Sequence, residues 1–341
     1  MSVFIIDNER IEHENLAPWA RELSPDAPDW QKMLARLLID WFDDSAVLNA
    51  HTSGSTGQPK VIPLSKSFMI TSAQMTAKEF DLGAGANALM CLSANYIAGK
   101  MMAIRALVNE WDLYVVEPST TIAAPKERIH FSAMVPMQVI NLLKTNRNFF
   151  KRLETLIIGG APVSRELEEN LYNVSTQCWE TYGMTETSTH VARRSIGQSK
   201  QFQSLGDFTF DLSDSGCLVV NHPLIEPQST RDLVQLDSDR SFIWLGRLDN
   251  VINSGGLKIS PENLEQKIQT LITTRFFIGS SPHDILGEQI TLFIEGAKDA
   301  TWGDLDKVND QLKRFEQIRN VIFVKQFDET GSGKIIRKAY S

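Results

Sequence analysis

Between Ser45 and Thr181 the chain switches period repeatedly, and this alternation restricts the fold more than any other feature of the sequence. Short β-type runs (AVLNA, ALMCLS, DLYVVE, IHFSAMV, ETLIIGG) are separated by segments with helical spacing of apolar residues, at 65–80, 97–110, 136–144 and 164–173. Strands joined through helices lie parallel and are covered on both faces. The pattern therefore predicts an α/β fold with a doubly wound sheet and a ligand crevice at its strand ends. From 205 to 245 the texture changes to shorter strands with polar turns (GCLVV, DLVQL, SFIWL), which predicts a small antiparallel or barrel-like sheet. After Asp249 a helix should open at Ser260-Pro261-Glu262. Serine suits the N-cap, proline the first helical position and glutamate the positive end of the helix dipole. The runs FFIGS, ITLFIE and NVIFV, with helices around Ile268 and Val308, complete a small α+β unit. The expected organisation is residues 1–249 as a large N-terminal domain and 250–341 as a C-terminal one.

Composition narrows the function. A chain of 341 residues with 42% hydrophobic and 22% charged residues is long enough for two globular domains. With 34 Lys+Arg against 42 Asp+Glu, the net charge of −8 gives no general attraction to nucleic acid or to anionic membranes, so a bound anion must be held locally. Cys91, Cys178 and Cys217 are far apart and form neither a metal-ligand spacing nor a disulfide framework, which points to a reducing, cytoplasmic setting. The N-terminus lacks the basic region of a signal peptide. The most apolar long stretch, 88–108, is interrupted by Lys100 and Arg105 and does not read as a membrane span.

The strongest local signal is His51-Thr52-Ser53-Gly54-Ser55-Thr56-Gly57-Gln58-Pro59-Lys60, directly after AVLNA. Its glycines let backbone N–H groups approach a ligand closely, and its hydroxyls and lysine add donors, which makes a cradle for a polyphosphate. No G-x-x-x-x-G-K-[ST] sequence is present, which disfavours a P-loop kinase.

The segment TSGSTGQPK resembles the phosphate-binding signature of the adenylate-forming superfamily, which contains acyl- and aryl-CoA ligases, luciferases and peptide-synthetase adenylation domains. Further pieces of that family's pattern follow in order. The resemblance implies that Gly160, Ala161 and Pro162 line one side of an adenine pocket and that Tyr182, beside Gly183, offers it an aromatic face. It implies that Thr185 bonds the α-phosphate and that Glu186 binds Mg²⁺, which favours hard oxygen ligands. Asp232 corresponds to the aspartate that accepts from the ribose hydroxyls, although this chain has Thr230-Arg231-Asp232 where the family has T-G-D. Arg247 would contact ribose and phosphate, Asp249 would be the hinge of a domain rotation, and Gly255 and Gly256 would line the approach of the thiol. Asn253 stands where many relatives carry lysine. Lys334, in Thr330-Gly331-Ser332-Gly333-Lys334, corresponds to the lysine that reaches the acyl carboxylate and the α-phosphate.

These correspondences imply a ligase that uses ATP, Mg²⁺ and coenzyme A, forms an acyl-adenylate and converts it to a thioester after the C-terminal domain rotates. Residues 95–102 and 182–194 further resemble the short o-succinylbenzoate–CoA ligases of menaquinone biosynthesis. That acid is a small aromatic dicarboxylate, so its pocket needs an apolar slot and a fixed cation. Lys100 and Arg193 are the candidate cations, with His190 as a helper. A CoA ligase for another aryl or short-chain acid, an adenylating enzyme that loads a carrier protein, and a non-catalytic nucleotide-binding scaffold are the alternatives.

Overall fold

The computed structural model describes residues 2–51, 60–297, 302–329, 335–338 and 340. Packing divides the chain into two compact units. The first comprises Met1–Val163, Leu167–Thr209 and Asn221–Gln228; the second comprises Ser164–Glu166, Phe210–Val220 and Ser229–Ser341.

The first unit begins with a hairpin, β1 (Val3–Ile6) and β2 (Glu9–Glu12), followed by α1 (Leu16–Glu22) and α2 (Asp29–Phe42). Next come β3 (Val47–His51), β4 (Val61–Ser65), α3 (Lys66–Glu79), β5 (Asn87–Met90), α4 (Ile97–Asn109), β6 (Asp112–Val115), β7 (Ile129–Met134), α5 (Pro136–Thr145) and β8 (Leu153–Ile158). After α6 (Arg165–Leu171) follow β9 (Gln177–Gly183), β10 (His190–Ser195) and β11 (Gln201–Ser204). The strands β9-β8-β7-β5-β6-β1 lie side by side and parallel, while β2 at one end and β10 and β11 at the other run antiparallel to their neighbours.

Period-2 alternation of apolar side chains explains why this sheet is covered on both faces. Ala88 and Met90 of β5 belong to one core, with α2, α3 and α4, whereas Leu89 and Cys91 belong to the other, with α5 and α6. The chain leaves β5 first toward β6 and then returns to the other side for β7, so the order reverses at β5. Crevices for ligands form at the carboxyl ends of strands at such a reversal. Two details depart from the sequence reading. AVLNA becomes β3, which pairs antiparallel with β4 in a separate two-stranded hairpin instead of joining the large sheet. Val3–Ile6, for which the sequence reading gave no element, becomes β1 and pairs with β6.

The strand-rich middle of the chain supplies β12 (Thr209–Leu212), β13 (Cys217–His222), β14 (Ile225–Ser238) and β15 (Ser241–Arg247), adjacent in chain order. Beyond Asp249 the second unit adds β16 (Ile252–Ser254), β17 (Leu257–Ile259), α7 (Pro261–Ile268), β18 (Phe276–His283), β19 (Gly287–Glu295), α8 (Leu305–Asp310) and β20 (Asn320–Val324). Strands β16 to β20 form one sheet around buried Ile252, Leu264, Ile278 and Leu292. Helix α7 starts where the Ser-Pro-Glu signal placed it, but Ser260 makes no side-chain cap; its hydroxyl donates instead to the Leu245 carbonyl at 2.6 Å. Among the described residues no helix is long and apolar enough to cross a membrane.

Candidate functional site

Three of the sequence motifs fall at carboxyl ends of parallel strands of the one large sheet. Gly160-Ala161-Pro162 follows β8, Thr185 and Glu186 follow β9, and the segment carrying Asn95 and Lys100 follows β5. The turn after β8 is pinned from β9: buried Glu180 accepts from the Val163 amide at 2.9 Å and from Arg194 Nε at 2.5 Å, and Arg194 also reaches Glu168. Burial pushes the Glu180 carboxyl up and Arg194 pulls it back. Tyr182 on β9 is half-buried, with its ring edge-on to Phe202 at 6.2 Å.

Beyond β9 the chain makes a single 3-10 turn over Thr185–Thr187. Buried Thr187 fixes this turn by donating to the Thr189 carbonyl at 2.9 Å and accepting from the Met184 amide at 3.2 Å, while Thr185 and Glu186 stay half-exposed. Ser188 closes the turn at φ 59°, buried and in the left-handed region, a strained conformation of the kind concentrated at working sites. Gly183 is required by packing, because a Cβ there would collide with the Thr189 carbonyl and the His190 backbone. Glu186 has no hydrogen bond or ion pair among the described residues, and these contain no cluster of three metal-ligating side chains. A lone, accessible carboxylate fits Mg²⁺, which is usually held by one or two carboxylates and the phosphates of its substrate.

Deeper in this unit lies a group that the sequence reading met only as an interruption of the apolar stretch. Arg105 on α4 is 2% exposed, yet among the described residues no carboxylate pairs with it. Its Nε donates to Thr76 Oγ1 at 3.1 Å, and one terminal nitrogen donates to Thr189 Oγ1 at 2.6 Å and to His190 Nδ1 at 3.2 Å. Because Nδ1 accepts, the imidazole carries its proton on Nε2, and that atom is buried without a partner. The Ser188 hydroxyl and the Trp179 Nε1–H are likewise buried and unpartnered. Burial, reinforced by Arg105 and Arg193, holds the His190 pKa well below the usual imidazole range, so the ring is neutral. Burial also pushes the Arg105 guanidinium down to about 9. Phe80 stands 6.5 Å from His190 and 6.2 Å from Trp179, ring centre to ring centre, giving the cluster an aromatic wall. The cluster therefore offers several donors, an unpaired positive charge and aromatic faces, and among the described residues no carboxylate bonds to Arg105. The detectable signal in the sequence was a cation within its most apolar run.

The other candidate cations are placed differently. Arg193 on β10 donates to Glu79 at 2.5 Å and stacks over Trp179 at 3.8 Å, so its charge is already paired. Lys100 is on α4 with Arg105 but lines a separate cleft with α2 and β3. Lys60 is exposed immediately before β4. Thr52, Ser53, Gly54, Ser55, Thr56, Gly57 and Lys334 lie outside the described residues. Burial pushes the Cys91 and Cys178 thiols up to about 12, so neither is a nucleophile at neutral pH.

In the second unit, β14 and β15 pair Asp232 with Arg247 in register. Asp232 accepts from Trp244 Nε1 at 3.2 Å, and the Arg247 guanidinium lies 3.8 Å away. Arg231, which stands where the family signature has glycine, donates to Asp249 at 2.5 and 2.9 Å, and Arg247 adds a bond at 3.1 Å. The Arg231 hydrogen bond is the largest influence holding the Asp249 carboxyl below the usual range. Gly255 and Gly256, at φ 57° and 82°, make the tight turn between β16 and β17.

Comparison with known proteins places this geometry. The family model described as AMP-binding enzyme matches residues 3–219. Over 338 residues the chain is 27% identical to the 2-succinylbenzoate–CoA ligase of Salmonella typhimurium, covering 91% of this chain and 71% of that one. It is 26% identical to the Escherichia coli protein of the same description, covering 84% and 67%. Among solved structures, an acyl-CoA synthetase (AMP-forming)/AMP-acid ligase II-like protein from Dyadobacter fermentans is 31% identical, with a TM-score of 0.62 and coverage of 94% and 95%. The fold is shared with the o-succinylbenzoate CoA synthetase of Bacillus subtilis in complex with its acyl-adenylate intermediate, at a TM-score of 0.75, 17% identity and coverage of 85% and 67%. The chain belongs to the AMP-binding enzyme family.

Proposed function

We propose that this chain is an ATP-dependent, AMP-forming acid–CoA ligase whose acid is 2-succinylbenzoate, acting in menaquinone biosynthesis in the cytoplasm. The observation that carries the choice of acid is Arg105. A buried guanidinium without a carboxylate, beside the unpaired donors of His190, Ser188 and Trp179, suits an aromatic acid that keeps one carboxylate after the other is activated. Arg105 takes the role for which Lys100 and Arg193 were the sequence candidates, and His190 remains its helper.

In the first half-reaction a carboxylate oxygen of the acid attacks the α-phosphorus of ATP and pyrophosphate departs. In the second, the thiol of CoA attacks the acyl carbon and AMP departs. Carboxylate and α-phosphate repel one another, so the requirement is positioned positive charge and not a nucleophilic side chain. Lys334 would supply an ammonium to both groups, Thr185 a hydroxyl to the α-phosphate, and the segment from Thr52 to Lys60 the donors that orient the departing phosphates. Glu186 would hold Mg²⁺, which supplies charge to the phosphate oxygens when bound. Tyr182 and Gly160-Ala161-Pro162 would take the adenine, and Asp232 and Arg247 the ribose. Between the half-reactions residues 250–341 would turn about Asp249, and the Gly255-Gly256 turn would line the path of the thiol. Within the second unit, such a turn has to break the bond from Ser260 to the Leu245 carbonyl, which spans the hinge.

ATP–pyrophosphate exchange over a panel of acids tests the reading, followed by thioester detection with CoA and with a carrier protein. Exchange dependent on 2-succinylbenzoate, with an acid KM raised at least tenfold by Arg105→Met, is the expected result. Equal exchange with benzoate, or a KM untouched by the substitution, would overturn the choice of acid.

A further inference from the structure

The cleft that takes in Lys100 is not used by the reaction as described. It has a volume of about 430 Å³ and opens between one face of α2, the middle of β3 and the start of α4. Its lining includes Lys32, Arg36, Asp40, Asn49, Asn95 and Lys100. Its charges are unevenly satisfied. Lys32 pairs with Asp29 at 3.6 Å, and Arg36 pairs with Asp40 at 3.0 Å. Lys100, only 8% exposed, has no hydrogen bond or ion pair among the described residues. Burial pushes its pKa down, and Asp40 pulls it back up.

Two further features point the same way. The first-turn amides of α4 have no side-chain cap, because Tyr96 at the N-cap supplies none, so the positive end of a 13-residue helix adjoins the Lys100 ammonium. The side-chain amides of Asn49 and Asn95, both exposed on the cleft, have no partners among the described residues. The unengaged groups are thus a cation and amide donors, while the carboxylates are occupied. A buried lysine whose only help is the Coulomb attraction of Asp40 is stabilised further when an anion arrives.

We infer that this cleft is an oxyanion site that takes the phosphates of a diphosphate, and that its occupant is the pyrophosphate released on adenylation. Asn49 stands on β3 three residues before Thr52, where the segment expected to orient the departing phosphates begins. Asn49 and Lys100 line the same cleft, so the strand that leads into that segment also contributes to the cleft. This assignment of the occupant rests on the ligase reading above; the oxyanion chemistry of the cleft does not. The diphosphate of CoA carries the same chemistry and is the other source to separate.

The test is isothermal titration of wild type, Lys100→Met and Asn49→Asp with inorganic pyrophosphate, with CoA, and with AMP as the control for an intact nucleotide site. Asn49 is exposed, so its substitution keeps the test open should Lys100→Met fail to fold. A loss of at least tenfold in pyrophosphate affinity in the folded variants, with AMP unchanged, is expected from removing a charge-assisted contact or adding a repelling charge. A loss confined to CoA would overturn pyrophosphate as the occupant, and unchanged binding of both would overturn the site. Failure of wild-type ATP–pyrophosphate exchange together with Lys100-dependent pyrophosphate binding would sink the ligase reading and leave the oxyanion site standing.

Discussion

Arg105→Met should make the protein more stable and worse at binding its acid. A buried ion without a counter-ion carries a desolvation penalty of several kcal/mol, and hydrogen bonds to neutral partners offset only part of it. Arg105 is 2% exposed and, among the described residues, its side chain bonds to Thr76, Thr189, His190 and the Met102 sulfur alone. Those partners keep other bonds when it is removed: Thr76 donates to the Ser72 carbonyl at 3.0 Å, and Thr189 Oγ1 lies 3.2 Å from His190 Nδ1. Methionine fills much of the volume without charge. The net gain is about 2 kcal/mol, within the range found when buried ions are replaced by apolar groups. That corresponds to a rise in Tm of about 4 °C in a domain of this size. The pH dependence follows from the direction of the pKa. The folded value, about 9, lies below the ordinary guanidinium value, so above pH 9 the unfolded chain binds more protons. Wild-type stability therefore gains with pH in that window, and the advantage of the variant is full below pH 9 and narrows above it. Thermal melts across pH 7–10, with and without the acid, read both effects, and the acid should raise the wild-type Tm far more than that of the variant. A lower Tm for the variant with an unchanged acid KM would refute the argument that Arg105 is a charge waiting for a substrate anion.

Other substitutions separate the remaining parts. Lys334→Ala should abolish adenylation yet retain thioester formation from supplied acyl-adenylate; equal loss of both half-reactions in a folded variant would contradict the division of labour. Gly183→Ala should destabilise the first unit by about 2 kcal/mol or more, because the added Cβ meets backbone at Thr189 and His190 and neither can yield alone; an unchanged melt would show that β9 relaxes there. Arg337→Leu removes the bidentate partner of Glu265, at 2.7 Å on both arms, and leaves a largely buried carboxylate whose remaining donor among the described residues is the Ile278 amide. Breaking such a pair from one side costs about 3 kcal/mol when fully buried and less here, where Glu265 keeps some exposure. Chemical denaturation should recover much of that loss in the Glu265→Leu/Arg337→Leu double variant.

Much of the architecture was legible because strand and helix are written in local periods. The segments 65–80, 97–110 and 136–144 return as α3, α4 and α5 to within a residue or two, since three-to-four spacing of apolar residues suits nothing but one buried helix face. AVLNA misled because an apolar run of five residues does not say which strand it pairs with. Its partner β4 is the next strand in the chain, and the pair stays apart from the large sheet. Ser260 misled because its hydroxyl had a stronger claim elsewhere, the Leu245 carbonyl, which sequence spacing cannot display. Similarly, Arg231 read as a departure from a family turn, and only the fold put it on Asp249.

By itself the sequence determined the order of elements, the doubly wound class and the motifs that follow β8 and β9, because backbone hydrogen bonding and side-chain alternation are local properties. The tertiary structure decided which cation is paired and which is not. Arg193 and Arg105 are equally charged in the sequence, but Glu79 reaches the first and, among the described residues, no carboxylate reaches the second. Lys100 and Arg105 lie five residues apart on one helix and face different surroundings. The energy of a charge depends on the dielectric and the partners around it. Here those partners come from positions as distant as Thr76, Thr189 and His190, which meet at Arg105 only once the sheet has formed.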